Sequence, residues 1–190
     1  MRANRVGTHI ANTRWTLFLI ALLTLCGACL CASEYRTSLH AQFPHRVKEL
    51  ESILGMAVEE SFVAVREFSS VASFTRETGA PYWVRGFTNA NGICLQSRHL
   101  LGESVYRNLL EHELLHWTIR RLADFPLWFE EGIVCLITGE LSGYRGIPVM
   151  KNVEAVDPLT LKNPWEMVSY SLGCVETVKE ILYKHTEGCP

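Results

Sequence analysis

The chain has 190 residues, 48% of them hydrophobic, with 18 Lys and Arg against 20 Asp and Glu and a formal net charge of −2. That length suffices for one domain with a real core. Near-neutrality without a basic tract or a basic-aromatic patch argues against a nucleic-acid partner, and no internal repeat or low-complexity stretch points to a solenoid or a linker.

The first 32 residues differ from the rest. Arg2, Arg5 and Arg14 precede the apolar run WTLFLIALLTL (15–25), and small residues and cysteines follow in CGACLCA. A basic start, a short apolar stretch and a small-residue exit describe an export signal. Three versions fit. A signal peptide would be cleaved near Ala28 or Ala32. A lipoprotein signal would acylate Cys29 after Gly27-Ala28, although Cys26 stands where such signals usually carry leucine. An uncleaved anchor would use 15–32, about the minimum apolar length for a span. Each places residues 33–190 outside the cytoplasm, either periplasmic or held to the extracytoplasmic side of a membrane by lipid or anchor. Cys94, Cys135, Cys174 and Cys189 then belong to the domain. In an oxidising compartment they allow two disulfides; the alternative is that Cys135 and Cys174 are small buried helix residues.

Along the domain, FPHRVKELESILG (43–55) reads as a helix with Pro44 at its start and Gly55 at its stop. SFVAVREF (61–68) alternates and is β-branched, which predicts a strand. SSVASFTRETG (69–79) predicts a short helix ending at Gly79. YWVRGF and GICLQ are apolar strand candidates around TNANG, whose Asn91-Gly92 is a hairpin signal. A long helix follows over 103–122, and Pro126 opens another that runs to Thr138. GELSGYRGIPVM is loop-like, and a final helix covers 164–185. Strands first and helices later predict an α+β domain.

On the 103–122 helix, Arg107, Glu111, Thr118 and Arg121 fall within roughly 80° of one another and form the expected solvent stripe. His112 and His116 lie roughly 140° and 180° from Arg107, on the inner side, with Glu113 between them. Buried imidazoles and carboxylates are costly unless paired or bound to a metal. Histidines at i and i+4 stack on one face and reach one ion, whereas the glutamate at i+1 is turned away and can reach a water on that ion instead. His-Glu-x-x-His therefore suits zinc hydrolysis. Catalytic zinc keeps three protein ligands and an open position. In the zincin class that continues His-x-x-Gly-x-x-His, Ile119 stands at the glycine and Leu122 at the third histidine, so the third ligand falls to a glutamate of the next helix, Glu130 or Glu131. The chain reverses over 121–125 to bring that helix back.

HELLH followed by FPLWFEEGIV resembles the small gluzincin zinc metallopeptidases of the MA-like peptidase superfamily, whose pattern is His-Glu-x-x-His, a short loop and Pro-x-Trp-x-x-Glu-Gly. The matching residues are His112, Glu113, His116, Pro126, Trp128, Glu131 and Gly132. The strong match covers 109–136 and a weaker one about 60–185. The resemblance implies a zincin-like domain over 33–190, with a short mixed sheet, an edge strand before the active helix and a helical C-terminal part. It implies one Zn2+ per chain on His112, His116 and Glu131, Glu130 as a mere neighbour, and Glu113 as the general base that activates a water against a peptide bond. It also implies an extended peptide or protein substrate along GICLQ. Tyr170 is a candidate oxyanion donor, with a packed structural tyrosine as the alternative, and Tyr144 is a weaker candidate. Thermolysin-type members carry an aspartate four residues after the ligand glutamate to orient the first histidine. Here that position is Cys135, which leaves the partner of His112 unidentified. His40, His45, His99 and His185 read as surface or packing residues, and Trp117 and Trp128 as core aromatics. Gly132 is expected to let two helices approach closely. The competing functional reading is a non-catalytic envelope lipoprotein on the same scaffold, zinc-containing or metal-free, that binds peptides.

Overall fold

The computed structural model describes residues 33–187, with side chains up to residue 184. Residues 1–32, on which the export reading falls, Cys189 and the side chain of His185 lie outside the described residues. The order is β1 (Ser33–Thr37), α1 (Leu39–Gln42), α2 (Pro44–Leu54), β2 (Val63–Phe68), α3 (Val71–Thr78), β3 (Gly86–Asn89), β4 (Gly92–Gln96) and α4 (Arg98–Leu101). Then come α5 (Glu103–Leu122), α6 (Leu127–Thr138), three 3-10 turns and α7 (Pro164–Glu187). This is an α+β arrangement with a four-stranded mixed sheet and a helical C-terminal part. Among the described residues no helix is long and apolar enough to cross a membrane.

The strand order is β1-β2-β4-β3, with β2 and β4 parallel and the other pairs antiparallel. The GICLQ strand is therefore not an edge. β4 is paired on both sides, and every one of its residues is buried, as a central strand requires. The edge beside the helices is β3, because the hairpin folds its first arm outward. Its turn is Ala90-Asn91, closed by the Asn91 amide donating to Asn89 Oδ1 at 2.8 Å. β3 also starts later than YWVRGF suggests. The Val84 amide donates to the Pro81 carbonyl at 3.0 Å, so 81–84 is a turn.

One face of the sheet, Val63 and Val65 with Ile93 and Leu95, packs against Tyr106, Leu110 and Leu114 of α5 in the main core. On the other face α3 lays Phe74 edge-on to Phe68 at 5.8 Å. α5 is enclosed on more sides than its wheel suggests. Thr118, placed on the solvent stripe by sequence, is buried, and its hydroxyl donates to the Leu114 carbonyl at 2.7 Å. That backbone acceptor lets a threonine go under without an orphaned hydroxyl. Arg107 and Arg121 stay exposed, and half-buried Glu111 pairs with Arg46. Trp117 is a core residue and Trp128 packs against the same cluster. His45 and His99 are exposed and His40 is half-buried.

Cys94, Cys135 and Cys174 are free buried thiols, so no disulfide joins any two of them. Each serves packing on a different element: Cys94 beside Arg66 on the sheet, Cys135 within α6, Cys174 within α7.

Candidate metal centre

α5 and α6 are antiparallel neighbours joined by the short segment 123–126, with Pro126 at the N-cap of α6. This returns Glu131 to the level of His112 and His116. Gly132 makes the next contact possible: a Cβ there would sit 2.6 Å from the Cys174 carbonyl oxygen, so α6 and α7 touch backbone to side-chain position. From α7, Ser171 donates its hydroxyl to Glu131 Oε1 at 2.5 Å.

The three sequence-predicted ligands come together. His112 Nε2 and His116 Nε2 are 3.0 Å apart, Glu131 Oε2 is 3.2 Å from His116 Nε2, and it is 3.9 Å from His112 Nε2. Ligand atoms bound tetrahedrally at about 2.0–2.1 Å from zinc lie roughly 3.3 Å from one another. The observed separations bracket that value, so small side-chain shifts would seat one ion. Two imidazoles and a carboxylate form the borderline N/O set that suits zinc.

The outer nitrogens are held by carboxylates. Glu140, in the 3-10 turn Glu140–Gly143 after α6, lies 2.8 Å from His112 Nδ1 through Oε1. It is the partner that sequence could not supply. Cys135, at the position where the resemblance would have placed an orienting aspartate, instead puts its thiol 3.1 Å from Glu140 Oε1 and 3.4 Å from Glu131 Oε1. Glu130 is no bystander. Only 2% exposed, it bonds His116 Nδ1 and takes the Arg120 Nε at 2.8 and 3.0 Å. Arg120 Nη1 donates in turn to the Thr88 carbonyl of β3 at 2.7 Å.

Electrostatics follows this enclosure. Burial works against a charged His116, but the carboxylates of Glu130 and Glu131 outweigh it and push its pKa up to about 10. His112 is also raised, burial again opposing and Glu140 prevailing. Burial alone would raise Glu131, yet the two imidazoles and Ser171 hold it far below the usual carboxylate range. Glu130 and Glu140 are lowered in the same way. The cluster is thus built around positive charge, which protons or a divalent cation can provide. The residues present fit a zinc ion.

Glu113 is 6% exposed and sits on the wall of the same cleft, a cavity of about 740 Å³ whose sides include Leu109, Trp83, Phe87 and Leu127. Tyr170 is 1% exposed within a small cluster with Val153, Leu161 and Cys174. Its hydroxyl lies beside the Cys174 thiol, burial keeps it protonated, and the residue contributes to the cavity wall. Tyr144 stands half-open at the rim.

Comparison with family models, with curated proteins and with solved structures finds no match. What the site can do is read from its side chains alone.

Proposed function

We propose that the protein is an exported zinc metallopeptidase of the gluzincin kind. The observation that supports this reading is the convergence of His112 Nε2, His116 Nε2 and Glu131 Oε2 beside the buried Glu113 in one cleft. His112, His116 and Glu131 would hold the ion. Zinc in that place supplies Lewis acidity, which lowers the pKa of a water and polarises a carbonyl oxygen. Glu140 and Glu130, each occupying an Nδ1, turn the Nε2 atoms inward. Glu113 takes the proton of the attacking water and passes it to the leaving amine. Tyr170 lines the cleft but its hydroxyl is enclosed, so it would serve as the neutral donor for negative charge on the carbonyl oxygen only on turning outward, and it otherwise packs the C-terminal cluster. Apolar walls receive substrate side chains, and the outer edge of β3 near Gly86 runs along the cleft for an extended peptide. Glu113 favours an enzyme over a binding protein, because a site that only holds an ion has no need of it.

Metal content and hydrolysis of a peptide library, measured on the wild type, Glu113→Gln and His116→Ala, test this. One zinc per chain is expected in the wild type and in Glu113→Gln, with cleavage falling by about 10²–10⁴ in the latter, and no stable zinc in His116→Ala. Zinc without cleavage in the wild type would replace the peptidase with a binding role. No uptake of zinc at neutral pH would remove the metal centre.

A further inference from the structure

Glu113 is held by the sheet and not by its own helix. Thr88 Oγ1 lies 2.6 Å from Glu113 Oε2 and 3.2 Å from the Glu113 carbonyl oxygen. A hydroxyl has one proton to give, and the closer, anionic acceptor takes it. Thr88 is only 7% exposed, so water does not compete freely for that bond. Two residues earlier on the same face of β3, Gly86 presents bare backbone to the other oxygen. A Cβ there would sit 2.5 Å from Glu113 Oε1 and 2.8 Å from Leu109 Cδ1. Alternate positions on one strand thus treat the two oxygens differently: one is bonded and one is given room.

We infer that Gly86 and Thr88 of β3 are positioning residues that aim the Glu113 carboxylate, Oε2 fixed by the Thr88 hydroxyl and Oε1 left to work in the cleft. This deepens the peptidase reading and rests on it. The β-branch of threonine restricts the hydroxyl to few rotamers, which makes it a stiff pointer. The same residue ties the site together by a second route, since its backbone carbonyl receives Arg120, which holds Glu130 and through it His116. Substitutions at 88 remove the first route and leave the second, because the carbonyl remains.

The variants are Thr88→Val, which keeps the shape and loses the donor, Thr88→Ser, which keeps the donor, and Gly86→Ala. Each is measured for zinc per chain, thermal midpoint, kcat and KM on a peptide that the wild type cleaves. In zinc-free wild type, the Thr88 hydroxyl proton is also sought by NMR. Thr88→Val is expected to lower kcat about 10- to 100-fold, with KM and zinc content unchanged, and Thr88→Ser to recover most of the loss. Gly86→Ala is expected to lower kcat with zinc retained. The hydroxyl proton is expected as a slowly exchanging resonance close to the Glu113 side chain. Wild-type kcat in Thr88→Val, an equal loss in Thr88→Ser, or a rapidly exchanging hydroxyl would overturn the aiming role while leaving the peptidase intact. A zinc-loaded wild type that cleaves nothing would overturn both.

Discussion

Replacing Gly132 with alanine sets two effects of opposite sign against each other. The position is interior to α6, where alanine is favoured over glycine by about 1 kcal/mol on helix propensity. The packing says otherwise. An added Cβ would lie 2.6 Å from the Cys174 carbonyl oxygen, 2.6 Å from Val178 Cγ2 and 2.9 Å from the Cys174 carbonyl carbon, against an ordinary contact of at least 3.4 Å. The difference, 3.4 − 2.6 = 0.8 Å, is what α7 must retreat. Two of the three obstacles are backbone atoms that cannot rotate aside. Overpacking of this kind costs about 1–3 kcal/mol, and rigid neighbours place the cost in the upper part of that range. After the propensity gain, a net loss of roughly 1–2 kcal/mol remains, or a fall in Tm of about 2–8 °C for a domain of this size. Thermal and urea melts of the zinc-free protein, followed by circular dichroism, measure it. Gly143→Ala, with open space around the new methyl, is the control and is expected to be neutral or slightly stabilising. A Gly132→Ala variant that melts at or above the wild type would refute the close helix contact. Because Ser171 on α7 holds Glu131, the same displacement should weaken zinc binding as well.

Removing the charge from Glu140 with Glu140→Gln should lower zinc affinity about 10- to 100-fold, read by competition with a chelating dye; unchanged affinity would mean that His112 needs no orienting carboxylate. On the zinc reading, the ion would displace protons that the carboxylates favour on His112 and His116, so its apparent affinity should rise with pH toward the His116 value of about 10. Titration calorimetry in buffers of different ionisation enthalpy should therefore detect proton release at neutral pH, and none would contradict the raised histidines. The sign for zinc-free stability is the reverse: the raised His116 stabilises fully below its ordinary value of 6.5, and that contribution fades as pH climbs through about 10. Cys94, Cys135 and Cys174 should resist iodoacetamide in the native protein and react once it is unfolded without reductant, as counted by mass spectrometry; a disulfide among them would leave the count short.

That His112 and His116 face one point was legible because i and i+4 spacing fixes it locally, and the short reversal brings a glutamate of the next helix to them; that the glutamate is Glu131 came from the resemblance, not from spacing. The residues that hold these groups were not legible. Glu140 lies past the Gly139 helix stop, so its approach to His112 depends on how the chain turns after α6. Thr88 and Ser171 act across elements far apart in sequence, and only packing brings them to the cluster; Arg120 is one turn past His116, but its reach to the Thr88 carbonyl depends on the same packing. The two neighbouring glutamates looked alike on paper, yet a rotation of about 100° sends Glu130 to the outer nitrogen of His116 and Glu131 to the inner side. The sheet order escaped for a similar reason. Local alternation marks a strand but not its neighbours, so β4 could be read as an edge, and the short polar β1 gave no alternation to notice. Thr118 was misplaced because a wheel counts polarity and cannot see an acceptor one turn back.

The position of β3 at the margin of the sheet has a consequence for how the protein keeps apart from copies of itself. An open strand edge is a template for self-pairing and fibril growth. Here that edge is four residues long, shorter than the six or seven that stacked zipper segments use. It begins with a glycine, and the guanidinium of Arg120 already occupies the carbonyl of Thr88. The arginine that braces the histidine cluster therefore also caps the Thr88 end of this edge against self-pairing, leaving the Gly86 end, inside the cleft, for a peptide. Its removal should cost solubility as well as order at the site.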